Sequence, residues 1–116
     1  MAAELFGLGR TLVPVGGTPV QVAVPADLVS KINPPSVHAI VVEALFGNTG
    51  KIFVGVAGLN RSTLVNCLVV LPIPTANLIP TFSVSVAAGA NPLYLPSLWI
   101  DADINNEGVL ISCVLC

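Results

Sequence analysis

Apolar residues stand in short runs along this chain, and glycine, proline and asparagine separate one run from the next. Where polar residues interleave, they do so with a period of two, the spacing of a strand with one covered face. Phe82-Ser83-Val84-Ser85-Val86 alternates cleanly. Over residues 37–46 the even positions Ile40, Val42, Ala44 and Phe46 are apolar, and Glu43 falls on the other side. Together with residues 11–15, 20–24, 51–56, 64–71, 98–103 and 109–115, these make eight predicted strands. Gly16-Gly17-Thr18-Pro19 and Asn105-Asn106-Glu107-Gly108 read as hairpin turns, and Gly47-Asn48-Thr49-Gly50 as a further turn. Residues 25–32 form the one helix-like piece, too short to stand alone and stopped at Asn33-Pro34-Pro35. A second turn region, Ala87-Ala88-Gly89-Ala90-Asn91-Pro92, leads the chain towards residue 98.

Strands at this spacing, with no helical crossovers, predict an all-β fold. The expected form is a single antiparallel β-sandwich or jelly-roll-like barrel of about eight strands. The 116 residues suffice for one domain, with residues 1–10 expected as a short N-terminal arm or a strand lead-in. That stretch carries Leu5, Phe6 and Leu8, an apolar set that suits docking on a neighbour better than solvation.

Composition changes the picture in one respect. Ten residues are charged, 9% of the chain, against about 25% in an ordinary soluble domain. The mean hydropathy is +0.92. No residue from Ser62 to Ile100 is charged, but Pro72, Pro74, Pro80, Pro92 and Pro96 break that stretch below the length of a membrane-spanning helix. Several strands are apolar on both faces, whereas an antiparallel sheet normally leaves one face to water. The missing charge therefore implies a surface covered by copies of the chain or by another protein. The net charge of −2 leaves no basic footprint for nucleic acid.

Catalytic constellations are missing from the sequence. His38 is the only histidine, Gly-x-Ser-x-Gly is absent, and neither Gly7-x-Gly9 nor Gly55-x-x-Gly58 leads into a phosphate-binding helix. An enzyme is therefore not expected, and no cofactor is called for. The weak metal candidate is Asp101, Asp103 and Glu107, oxygen donors at alternate positions. As a calcium loop it fails at Asn106, where glycine is needed, and at Ser112, where glutamate is needed. A solvated hairpin rim is the simpler expectation. Cys67, Cys113 and Cys116 are odd in number, and the ending Cys113-Val114-Leu115-Cys116 lacks the second ligand pair of a zinc site, so free thiols are expected.

The run Gly50-Lys51-Ile52-Phe53-Val54-Gly55, the later Leu95-Pro96-Ser97-Leu98-Trp99-Ile100 and the terminal Gly108-Val109-Leu110-Ile111-Ser112-Cys113-Val114-Leu115 carry a resemblance. In this order they resemble small β-sandwich structural proteins of tailed bacteriophage virions, some of which are capsid cement or decoration proteins. The resemblance covers about residues 47–116, and residues 1–36 have no part in it. It implies a non-enzymatic protein on the capsid exterior, made in the host cytoplasm, that oligomerises as a trimer or dimer and clamps neighbouring major capsid subunits. Phe53 stands where such proteins carry an acidic or polar residue, which points to an interface there. Leu5, Phe6, Leu8, Phe53 and Trp99 are the expected interface residues. The other reading is a tail or spike accessory that binds a carbohydrate or another tail protein, with Trp99 beside Asp101 and Asp103.

Overall fold

Alternating β-branched and small residues form strands wherever one face is covered, and the computed structural model shows them over most of the chain. It describes residues 4–32, 35–87 and 90–115. Among these, ten strands occur: β1 (Glu4–Val13), β2 (Val20–Gln21), β3 (Ser36–Val37), β4 (Ala39–Ala44), β5 (Ile52–Gly55), β6 (Cys67–Leu71), β7 (Thr81–Ser85), β8 (Leu93–Tyr94), β9 (Trp99–Ala102) and β10 (Glu107–Leu115). One sheet has the order β1-β10-β4-β7, a second has β2-β9-β5-β6, and β3 pairs with β8.

Every strand pairing within these sheets is antiparallel. Five of the pairs are nested: β1 with β10, β2 with β9, β3 with β8, β4 with β7 and β5 with β6. The chain is thus one long hairpin with the β5–β6 turn at its tip, folded over so that successive pairs, β3–β8 aside, alternate between the two main sheets. That is the jelly-roll wrapping of a double-sheet sandwich.

The expected fold class holds, with local differences. Residues 11–15 and 20–24 do not form a hairpin, because β1 and β2 lie in different sheets and the Gly16–Pro19 loop crosses between them. The turn at 105–108 likewise carries the chain from one sheet to the other, with Asn106 at φ 63°. The strand expected over 37–46 is interrupted at His38, whose N–H donates to the Val114 carbonyl while its own carbonyl accepts from Val86. It ends at Ala44, and Phe46 lies outside it, exposed. Strands β3 and β8 have two residues each and escape a periodicity reading.

The arm expected over residues 1–10 is, from Glu4 onward, part of β1. Pairing with β10 runs from Glu4↔Leu115 to Val13↔Glu107, and a bulge between Gly7 and Gly9 interrupts it. Gly9 sits there at φ +83°, a conformation that glycine adopts without steric cost. The physical reason for a strand is that β10 has an open edge on that side, and unpaired strand edges recruit a partner. Met1 to Ala3 of that arm lie outside the described residues, as do Asn33 and Pro34 of the helix stop, Ala88 and Gly89 of the turn, and Cys116.

The short helix α1 (Ala26–Lys31) forms as expected. Asp27 in its first turn and Lys31 in its last complement the helix dipole. Its one buried side chain, Leu28, joins the core. Between the sheets, Val13, Val42, Val109 and Ile111 face Ile52, Val54 and Ile100, all within 1% of complete burial.

Candidate functional site

The acidic run ending β9 and entering β10 gathers the chemistry that the sequence singles out. Asp101 points away from the inter-sheet core, since its neighbours Ile100 and Ala102 point into it. It is nevertheless 0% exposed. Its Oδ1 accepts from the Gly17 N–H at 2.9 Å and from the Ala102 N–H at 2.8 Å, which pins the 14–19 loop to the end of β9. Its Oδ2 is buried without a hydrogen-bond partner.

Asp103 lies just beyond β9, half exposed, 3.1 Å from Nη1 of Arg61. The same guanidinium nitrogen donates to the Ala102 carbonyl at 3.0 Å. Glu107 turns a third way. Its Oε2 accepts from the Thr49 N–H at 2.7 Å and the Thr49 hydroxyl at 2.9 Å, and its Oε1 accepts from the Gly50 N–H at 2.9 Å. Partial burial pushes the Glu107 carboxyl up, but these three hydrogen bonds outweigh it and hold the carboxyl below its ordinary 4.5.

The metal candidate is therefore not assembled. Each of the three carboxylates is committed to a different loop, and among the described residues no group of three potential ligands is close enough to hold an ion. What the acidic run does is structural: with Asn105, whose Oδ1 accepts from the Gly16 N–H at 2.8 Å, it ties the crossing loops together at one end of the sandwich. Spacing alone put Asp101 and Asp103 on one solvated face. The 56–66 loop changes that by folding back over the outer face of the β2-β9-β5-β6 sheet. Leu59 reaches Gly55, where a Cβ would collide with the Asn66 carbonyl, and Arg61 reaches the end of β9.

Phe53 lies on that same outer face with Asp101, its register partner, and is 6% exposed. Phe53 is thus packed within the chain and is not available as an interface residue. Leu5 is 82% exposed, Phe6 and Leu8 are half-buried against the core, and Trp99 is half-buried on β9. Cys67 is half-buried and Cys113 buried, both as free thiols, and burial pushes the Cys113 thiol up.

Two apolar surfaces emerge, of which Leu5 alone was singled out in advance. One is the outer face of the β1-β10-β4-β7 sheet, where Leu5, Leu12 and Leu110 are exposed. The other is the gap between the sheets at their β6 and β7 edges, a cavity of about 200 Å³ lined by Ile40, Leu68, Phe82, Val84 and Tyr94 among others. The signal for both was present in the two-sided apolar strands, although which side would stay open was not. Among the described residues no helix is long and apolar enough to cross a membrane. No protein-family model matches the chain, and no curated protein matches it significantly.

Proposed function

We propose that this chain is a non-enzymatic structural protein of a virion, of the capsid cement or decoration kind, which self-associates and joins shell subunits through apolar surfaces. The observation that carries this reading is the exposure of fourteen large apolar side chains, among the described residues, on a sandwich with ten charged residues. Ordinary monomers keep contiguous apolar patches to a few hundred Å². Here the accessible surface is 6307 Å², about 630 Å² for each charged residue. The jelly roll is at home in viral capsid proteins, and also in lectins and cupins, so the surface rather than the fold supports the choice.

The carbohydrate reading needs a free exposed acid beside Trp99, but Asp101 is buried and the exposed Asp103 is paired with Arg61. Interfaces between permanent partners resemble a domain core cut in half, which suits this surface. Quantitative mass spectrometry of virions from a source that encodes the chain is the test. A copy number in the hundreds is expected of a shell protein. Absence from virions overturns the proposal, and a copy number of a few would move the protein to the tail.

A further inference from the structure

We infer that the outer face of the β1-β10-β4-β7 sheet is an interface with a second copy of this chain, related by a two-fold axis running along β10. The inference rests on the assembly reading and names the surface used. Register places Arg10, Leu110 and Glu43 in one row across three neighbouring strands. All three point outward, since Thr11, Val109 and Ile111, Val42 and Ala44 beside them point into the core. Arg10 and Glu43 form no ion pair among the described residues, and Leu110, 44% exposed, stands between them.

The row is self-complementary. Two strand spacings, about 10 Å, separate Arg10 from Glu43. Rotation by 180° about an axis parallel to β10 through Leu110 exchanges the β1 side with the β4 side while keeping position along the strands. It sets each copy's Arg10 over the other's Glu43 and Leu110 against Leu110. The row at the end of the sheet behaves consistently. Leu5 pairs with Val114 and Val114 with Ala39, so the same rotation lays the protruding Leu5 over the small Ala39. Beside it is a depression of about 250 Å³ lined by Val41, Ser112 and Val114 among others.

An axis over β10 sets β1, β10 and β4 against their counterparts and leaves β7 outside. Three strands about 4.8 Å apart, overlapping over six to nine residues at about 3.4 Å, give a footprint on the order of 350 Å² on each copy. The pair then buries on the order of 700 Å², the size of a weak, concentration-dependent association. The strands of the facing sheets would lie within about 30° of each other, as in aligned sheet packing. The outward residues of β7, Thr81, Ser83 and Ser85, supply a polar rim. Opposite charges flanking a central leucine favour a two-fold building block over the three-fold one.

The test uses the full chain and sedimentation velocity across micromolar concentrations. Wild type is expected to form dimers. Arg10→Glu sets glutamate over glutamate at both ends of its own dimer, and Glu43→Arg sets arginine over arginine. Each should self-associate at least about tenfold more weakly than wild type, since like charges across an interface are costly. An equimolar mixture of the two variants should recover dimers, because in the mixed pair every glutamate meets an arginine. Leu110→Glu, which faces its own copy at the axis, should be monomeric alone and in the mixture. Circular dichroism should match wild type throughout. Dimers that persist in all the variants overturn this face and leave the assembly reading standing. A wild type that stays monomeric overturns the face too, and co-sedimentation with shell protein then tests the wider reading separately.

Discussion

Glu107 receives three hydrogen bonds from residues 49 and 50, and its carboxyl is held below 4.5 as a result. A carboxyl lowered on folding adds stability that is complete above the unfolded value and is lost as pH falls through the folded one. Wild type is therefore expected to lose stability below about pH 4.5 more steeply than Glu107→Gln, a difference that urea titrations at pH 7 and pH 3.5 would show. Equal slopes would mean that the 49–50 contacts do not favour the ionised form. Asp101→Ala strips the Gly17 and Ala102 N–H groups of their acceptor and should cost about 1–3 kcal/mol. Asp101→Asn keeps an acceptor oxygen for the Gly17 and Ala102 N–H groups, so it should cost less. Chemical denaturation of both variants checks that order. At this scale the sequence is least informative. Phe46 and Phe53 sit in similar apolar runs, yet the first is 66% exposed and the second 6%. Neither outcome follows from local pattern, because each is set by how the flanking segments pack in three dimensions.

The elements are legible where alternation is strict. β7 lies one residue from its predicted start and end, and the inward positions Ile40, Val42 and Ala44 of β4 are buried as their even spacing implies. Turns are found but their roles are not. Glycine and asparagine serve a hairpin and an inter-sheet crossing equally well, since both require a sharp reversal or a positive φ. Nesting has a kinetic consequence. The β5–β6 contacts are local, whereas β1 meets β10 across nearly the whole chain, a long-range closure that slows folding. Val54→Ala, in the central hairpin, is expected to slow refolding. Val13→Ala, in the closing strand, is expected mainly to speed unfolding. Stopped-flow chevrons for the two variants decide this, and the reverse assignment would place the folding nucleus in the β1–β10 ladder. Truncating residues 1–10 should destabilise the fold rather than only weaken assembly, because β10 would regain a bare edge along its pairing with Glu4 to Arg10.

For the whole molecule, the low charge becomes a map of surfaces. Apolar side chains remain outside on one sheet face, at one open edge of the sandwich and along several loops, while the acidic run is consumed in holding loops. Self-association that stabilises the folded chain makes melting concentration-dependent. Thermal unfolding of wild type should shift upward with protein concentration, and that of Leu110→Glu should not. Phe53→Asp should fail to fold, because it would bury a second carboxylate next to Asp101 in register. A folded Phe53→Asp variant that merely assembled less well would restore Phe53 to the interface.

Periodicity, turn residues and composition by themselves determined an all-β fold, most of its strands, the short helix and a surface short of charge. These are local or additive properties, readable from neighbours along the chain. Only the tertiary structure decided that the strands nest as a jelly roll, that Asp101, Asp103 and Glu107 serve separate loops, and that Phe53 is covered while the β1-β10-β4-β7 face is not. Those outcomes depend on which distant segments pack together, and the strand that closes the sandwich lies a hundred residues from its partner.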